Sequence, residues 1–295
     1  MYSQITSNKR KSILLIAIFV VFVALLGWLL GEYSGYGYGG LLLAAIISLI
    51  MALFSYYGGD KVALITSGAK GPIKKEENPY IYRLVENLCI TAGLPTPKIY
   101  VIPDPAPNAF ATGRDPKNSS IALTTGLIES LENEELEGVI AHELSHIKNY
   151  DIRLMMLVIV LVGTVALISD WFLRVRLFGK NNDSDNQIGK LLAIAGIILA
   201  LLSPFIAQLI KLAISRKREF MADADGALLT RYPEGLAKAL EKISNYKTPL
   251  KKANNAVAHL YISNPFGGKT KNSLHNLFST HPPIEERVAF LREMA

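Results

Sequence analysis

An uncharged apolar run from Ile13 to Leu30 is the sequence feature that most constrains how this chain can fold. The run is long enough to cross a bilayer as a single helix. A second apolar run, from Leu41 to Tyr57, follows after a short linker rich in glycine and tyrosine. A basic leader also suits a signal peptide, but the first run is long for a signal core and no clear small-residue cleavage site follows it. The sequence therefore predicts a membrane hairpin of two transmembrane helices over residues 1–60.

Basic residues flank the outer ends of these two runs, whereas the linker between them contains no Lys or Arg. Cytoplasmic flanks of membrane spans are enriched in Lys and Arg. We therefore expect the N-terminus and the chain after Lys61 to lie on the cytoplasmic side of the cell membrane, with the lipid bilayer as a partner. Much of the basic excess behind the net charge of +6 stands beside apolar runs, so it does not indicate nucleic-acid binding.

Apolar sequence returns over residues 152–214, where a polar linker at 181–187 interrupts it. This pattern predicts a second membrane hairpin and a multi-pass protein. Basic residues, Arg174 and Lys190 among them, stand on either side of that linker, which is unfavourable for an external loop. The alternative is a pair of long apolar helices that pack on the domain or enter one leaflet.

The remaining stretches, 61–151 and 215–295, are predicted to form the two parts of one catalytic domain. Helices are predicted to start at caps Asn78 and Asn133. The single cysteine, Cys89, cannot form an internal disulfide or a multi-cysteine metal site, and its apolar neighbours indicate an inert buried thiol. Short β-prone stretches predict a small sheet in an otherwise mainly α fold: Lys98–Ile102, Ala109–Thr112 and Ser120–Leu123.

The segment His142-Glu143-Leu144-Ser145-His146 carries the clearest chemical signal. Residues four apart share a helix face, so His142 and His146 can offer two imidazoles to one cation. Zinc suits nitrogen ligands and tolerates an open position for water, from which Glu143 can accept a proton during attack on a carbonyl. Two incidental histidines on an exposed helix are the alternative. The flanking residues are apolar, which favours a core-facing helix and a zinc site of the H-E-x-x-H type.

A catalytic zinc site needs a third protein ligand. The metzincin pattern is excluded because Ile152 occupies the position of its third histidine and Asn149 that of its glycine. Asp151 is too close along the same helix, and Asp170 lies in the apolar hairpin.

The best candidate for the third ligand is Glu219, which shares a helix face with Asp223 four residues later. Asp223 can accept a hydrogen bond from a ligand histidine and fix its tautomer. Small residues beside this pair, among them Ala222 and Gly226, would let this helix approach the first one closely.

The combination of His142-Glu143-x-x-His146, a distant Glu219-x-x-x-Asp223 and the N-terminal apolar runs resembles the HtpX family of membrane metalloproteases. The stretches Asn108-Ala109-Phe110-Ala111-Thr112-Gly113 and Thr280-His281-Pro282-Pro283 add to the resemblance, which covers nearly the whole chain. CAAX prenyl proteases are more distant relatives. The resemblance implies a gluzincin-type zincin domain facing the cytoplasm with one zinc ion. It also implies degradation of misfolded or damaged membrane proteins under stress.

Two further assignments concern substrate and transition state. Residues Asn108, Ala109, Phe110 and Ala111 are predicted to form a sheet edge that receives an extended polypeptide, with a plain core strand as the alternative. His281 is predicted to donate to the oxyanion or to plug the open metal position, with a surface or helix-start residue as its alternative. Arg287 could take the donor role instead.

Two other functions stay open at the level of sequence. The first is a membrane-bound chaperone or scaffold with structural zinc, although structural zinc usually has four protein ligands. The second is processing of prenylated proteins. The sequence indicates polypeptide substrates but neither their identity nor the oligomeric state.

Overall fold

The computed structural model describes residues 2–33, 35–158, 216–254, 257–267 and 282–294. The predicted second hairpin lies outside the described residues from position 159 onward, and so does His281. The helices are α1 Tyr2–Tyr33, α2 Tyr38–Ser67, α3 Pro79–Ala92, α4 Thr125–Ser130, α5 Asn133–Lys148, α6 Arg216–Thr230, α7 Pro233–Asn245 and α8 Ile284–Glu293. The strands are β1 Lys98–Ile102, β2 Ala109–Asp115 and β3 Asn118–Thr124. The mainly helical fold with a small sheet is thus confirmed.

Helices α1 and α2 form an antiparallel hairpin whose apolar outer side chains, such as Leu42 and Phe54, are exposed. The two helices approach closely near the turn, where a methyl group on Gly27 would lie 2.7 Å from the carbonyl oxygen of Gly40. Small residues permit such close packing between helices. Among the described residues, α2 is the one helix long and apolar enough to cross a membrane.

The sheet has the strand order β1-β3-β2, with β1 parallel and β2 antiparallel to β3. Strand β1 has the predicted bounds, whereas β2 and β3 extend further because a tight turn joins them. The backbone N–H of Asn118 donates to Asp115 Oδ1 at 2.9 Å and closes that turn. Among the described residues β2 is therefore an edge strand of the sheet, and it contacts helix α5.

The helix caps were predicted correctly in one case and wrongly in the other. Asn78 caps α3, because its side chain accepts from the backbone N–H of Ile81 at 3.1 Å. The cap of α5 is Glu132, whose N–H donates to Glu135 at 2.8 Å, and not Asn133. The Asn133 amide instead donates to Glu137 at 3.0 Å, so its side chain lies along the helix rather than across its end.

Helix α5 is the centre of the larger core cluster. Its side chains Leu136, Val139 and Ile140 are fully buried against α3, the sheet and α7. Cys89 is also buried, which raises the pKa of its thiol to about 12 and keeps it protonated and inert. This surrounding core fixes the position of α5 and therefore of the histidines on it.

Candidate metal centre

His142 and His146 lie one turn apart on the buried face of α5. Their Nε2 atoms are 3.2 Å from each other, and both side chains are almost completely shielded from solvent. The apolar residues around the motif place this helix face in the core, as the sequence predicts. The two imidazoles therefore converge on a single point.

Helix α6 brings Glu219 to that point. Its Oε2 atom is 3.8 Å from His142 Nε2, and its Oε1 atom is 3.6 Å from His146 Nε2. The ligand atoms of the three residues lie within 4.8 Å of one another. The close approach depends on Gly226, where an added Cβ would lie 3.0 Å from the backbone nitrogen of His142.

Asp223 contacts the far side of the His142 ring. Its Oδ1 atom is 2.9 Å from His142 Nδ1, as the i, i+4 pairing with Glu219 predicts. Arg287 donates to the same carboxylate through Nε at 2.8 Å and Nη2 at 2.6 Å. Burial opposes ionisation of Asp223, but the charge and hydrogen bonds of Arg287 and the bond to His142 outweigh it and lower the Asp223 pKa.

Asp151 makes the equivalent contact with His146, and sequence reasoning missed it. Helix α5 ends at Lys148, and Tyr150 then adopts a left-handed backbone with φ of 61°. This turn directs Asp151 back toward the preceding helix, where its Oδ2 atom lies 3.1 Å from His146 Nδ1. Asp151 is not a third ligand, but the premise that it continues the same helix is wrong.

The two carboxylates determine which ring nitrogens are available to a metal. An ionised carboxylate can only accept, so each Nδ1 carries a hydrogen, and Nε2 is the ring nitrogen that faces the shared point and can bind a metal once it carries no proton. The separation of 3.2 Å between the two Nε2 atoms matches the roughly 3.3 Å expected for two nitrogens on a tetrahedral zinc ion. The residues present therefore fit a zinc ion.

The charges around His146 also favour a cation at this point. Burial disfavours the charged ring, but the Asp151 hydrogen bond and the nearby Glu219 and Glu143 carboxylates outweigh it and raise the His146 pKa to about 9. The site thus stabilises positive charge between these groups, which is what a cation site requires.

Glu143 lies beside the metal-binding group and faces strand β2. It is buried, and burial is the largest cause of a raised pKa, which the two histidines and a hydrogen bond from the Ala111 backbone partly oppose. A raised pKa brings a carboxyl group nearer to the range in which it can both take up and release a proton.

Comparison with known proteins identifies the family. Residues 75–295 match peptidase family M48. The chain is 47% identical over 294 residues to a protein named Protease HtpX homolog from Dictyoglomus thermophilum, covering 99% of this chain and 94% of that protein. A protein of the same name from Tropheryma whipplei is 44% identical over 294 residues, covering 100% and 98%. The chain belongs to peptidase family M48.

The solved crystal structure of S. mikatae Ste24p has a similar fold, with a TM-score of 0.53 and 19% identity. The alignment covers 99% of this chain and 67% of that chain, and at this identity the likeness concerns the fold alone. The family and the relatives named as proteases make the chain a membrane metalloprotease that hydrolyses peptide bonds.

Strand β2 of this M48 peptidase is only partly available at its outer edge. The carbonyl oxygen of Ala109 accepts from the N–H of Ile262 at 2.9 Å, and the Asn108 amide donates to the Ser263 carbonyl oxygen at 3.0 Å. Phe110 is buried, with its ring centroid 5.1 Å from that of Tyr261. Of the four predicted substrate-binding residues, Ala111 is therefore the one whose backbone the structure places against Glu143.

The structure describes one of the two candidate oxyanion donors, Arg287, but not the other, His281. Arg287 is fully buried, and besides Asp223 its Nη1 atom donates to the Ile262 carbonyl oxygen at 3.2 Å. In this peptidase, Arg287 thus holds Asp223 and the segment that pairs with β2.

Proposed function

We propose that this peptidase is a zinc-dependent endopeptidase with one ion per chain, held by His142, His146 and Glu219. The observation that carries the proposal is the convergence of two Nε2 atoms, each on a ring whose Nδ1 faces a carboxylate, on the Glu219 oxygens. Three protein ligands leave a fourth position for water or substrate, as catalytic zinc sites do. The zincin domain would be of the gluzincin type, because the third ligand is a glutamate on a separate helix.

Glu143 is the general base of the proposed mechanism. Zinc bound at this site supplies Lewis-acid activation of water and of the scissile carbonyl. The Glu143 carboxylate takes the proton of the attacking water and then gives it to the leaving amine nitrogen. The raised pKa of Glu143 supports this exchange, since a buried carboxylate with a raised pKa takes up a proton more readily than one in water. Asp223 and Asp151 keep the two imidazoles oriented throughout.

Substrate is proposed to enter as an extended segment along the outer edge of β2. Because Thr124 and Asn108 bond each other across the sheet, residues 109, 111 and 113 direct their backbone groups outward. The Ala109 carbonyl is occupied by Ile262 and the Ala111 N–H donates to Glu143, so the part of the edge proposed to receive substrate begins at the Ala111 carbonyl. His281 is retained as the proposed oxyanion donor or plug of the open position.

The physiological role is proposed to be quality control of misfolded or damaged membrane proteins under stress. The α1–α2 hairpin, with its exposed apolar side chains, supports insertion in the cell membrane. We further propose that both helices span the bilayer, that residues 152–214 form the second hairpin, and that the two catalytic parts, 61–151 and 215–295, face the cytoplasm. The sequence basis is the distribution of Lys and Arg beside the apolar runs.

Replacing the proposed base tests this function directly. Glu143→Gln should retain zinc and lose about 10²- to 10⁴-fold in peptide-bond cleavage, which is the usual contribution of a general base. Detergent-solubilised protein is assayed for zinc content and for cleavage of a membrane-protein substrate. Glu134→Gln is the matched control, because it makes the same change on the exposed side of α5.

Three results would contradict the proposal in different ways. Wild-type cleavage by Glu143→Gln would remove Glu143 as the base. Full zinc occupancy in Glu219→Ala would point to another third ligand. Wild-type protein that binds zinc but cleaves no polypeptide would favour the scaffold with structural zinc.

A further inference from the structure

A buried amide on α1 contacts the turn that carries Asp151, the residue behind His146. Asn8 on α1 is only 3% exposed, although many of its neighbours on that helix are open. Its Nδ2 atom donates to Asp151 Oδ1 at 2.7 Å and to the Asn149 carbonyl oxygen at 2.9 Å. Its Oδ1 atom accepts from Arg218 Nη1 at 3.4 Å. Donor and acceptor groups of this side chain are therefore all directed at the turn after α5 and at the start of α6.

The turn that Asn8 holds is strained. Tyr150 has φ of 61°, a left-handed conformation that costs free energy for a residue with a large side chain. Such a conformation persists only where the surroundings determine it. Asn8 bonds the residues on both sides of Tyr150, and Lys9 places its Nζ atom 4.4 Å from the centroid of the Tyr150 ring. Two consecutive residues of α1 thus hold this turn in place.

The turn matters because it carries Asp151. One carboxylate oxygen of Asp151 accepts from Asn8, and the other is 3.1 Å from His146 Nδ1. Arg218 is more distant, with its Nε atom 3.6 Å from Asp151 Oδ1. Asn8 therefore supplies the short hydrogen bond that fixes the rotation of the carboxylate, and the carboxylate fixes the His146 ring.

We propose that Asn8 is a positioning residue for the metal centre, which acts on His146 through Asp151 and couples the amino-terminal hairpin to metal binding. The inference rests on the proposed function, because it takes His146 to be a zinc ligand. Hydrogen-bond partners of metal-bound histidines fix the ring orientation and the tautomer, and their loss weakens metal binding. The contacts run from His146 to Asp151 and from Asp151 to Asn8, which lies on a helix of the proposed membrane hairpin.

The test compares zinc affinities in full-length, detergent-solubilised protein that carries Glu143→Gln to prevent self-cleavage. Asn8→Leu keeps the approximate side-chain volume but removes the amide. It should raise the zinc Kd by about tenfold, the lower end of the range for losing a partner of a metal ligand. The Kd is measured by competition with a chromophoric chelator. Ser12→Ala is the control, since this buried hydroxyl one turn further along α1 bonds the Asn8 carbonyl oxygen, and it should leave the Kd unchanged.

A double-mutant cycle separates positioning from a general loss of structure. Without the Asp151 carboxylate, Asn8 can no longer act on His146, so adding Asn8→Leu to Asp151→Ala should not raise the zinc Kd further. A merely structural role for Asn8 would give additive losses and would overturn the inference. The visible spectrum of bound cobalt gives a second measurement, which should change in Asn8→Leu and stay unchanged in Ser12→Ala.

Failure of this inference is distinguishable from failure of the proposed function. A parent protein that binds no zinc overturns both. A parent that binds zinc, with an unchanged Kd in Asn8→Leu, overturns the positioning role alone. If Asn8→Leu does not fold, Asn8→Ala takes its place in the same cycle, with the same expected non-additivity.

Discussion

The two histidines that we propose as zinc ligands are supported in different ways. His142 is backed by Asp223, which is fully buried and held by two short bonds from the Arg287 guanidinium. His146 is backed by Asp151, which lies on a strained turn and receives its shortest bond from the neutral amide of Asn8. One support is a buried ion pair formed within residues 216–294, whereas the other joins the α1–α2 hairpin to the turn after α5.

We call the His142 side, with Asp223 and Arg287, the fixed half of the site. The His146 side, with Asp151 and Asn8, is the adjustable half. A bidentate ion pair holds a carboxylate in one geometry and is costly to break when buried. A hydrogen bond from an amide holds it with less energy and depends on the position of the helix that carries the amide. We therefore expect changes on the His142 side to affect folding and metal binding together, and changes on the His146 side to affect mainly metal binding.

The largest effect is expected for Arg287→Met, which leaves the Asp223 charge buried without its partner. Breaking a buried pair in this way typically lowers the free energy of unfolding by about 3–5 kcal/mol. Thermal unfolding of the detergent-solubilised protein measures the loss. Arg292→Met on the same helix is the control, because Arg292 pairs with Glu234 and Glu241 at the surface and should matter little. Equal losses in the two variants would contradict the distinction between a fixed half and an adjustable half.

The second prediction compares the two supporting carboxylates by zinc affinity. Asp223→Ala should raise the zinc Kd by about 100-fold and Asp151→Ala by about 30-fold, within the range for partners of metal ligands. The former loss is larger because Asp223→Ala also leaves the Arg287 charge close to the site, with Nη1 4.0 Å from Glu219 Oε2. Chelator competition in the Glu143→Gln background measures both values. The opposite order would show that the His146 side is the one on which metal binding depends more.

The fixed half of the site could be foreseen from the sequence to a larger extent than the adjustable half. Glu219 and Asp223 stand at i, i+4, and that spacing places both on one helix face whatever the rest of the chain does. The strands were predictable for the same local reason, since Pro, Asn, Asp and Gly separate short β-prone stretches. The guanidinium that holds Asp223 comes from 64 residues away, and no local pattern indicates it.

The adjustable half depends on features that a periodic pattern does not contain. A left-handed residue at Tyr150 ends the regular geometry after α5, although tyrosine is not a residue that usually marks such a turn. Extrapolating the helix through it leads to the wrong position for Asp151. The contact between Asn8 and Asp151 spans 143 residues and joins α1 to the turn after α5, so only the folded chain reveals it.

The smallest predicted effect concerns the spacing of α5 and α6 at the fixed half. A methyl group on Gly226 would lie 3.0 Å from the nitrogen and 3.3 Å from the Cα atom of His142, and backbone atoms inside a buried helix can move little. Alanine has a higher intrinsic helix propensity than glycine, by about 1 kcal/mol. The cost of the close contact and the gain in propensity should therefore nearly cancel in the free energy of unfolding.

The geometry of the metal centre should still change in Gly226→Ala, because the added methyl group displaces the backbone of His142 itself. We expect an unfolding temperature close to wild type together with a changed cobalt spectrum. Gly58→Ala in α2 is the control, since its added methyl has its nearest contact at 3.5 Å and should leave the spectrum unaltered. An unchanged spectrum in Gly226→Ala would mean that α6 can shift without moving the ligands, and the His142 side would then be no more rigid than the side that Asn8 supports.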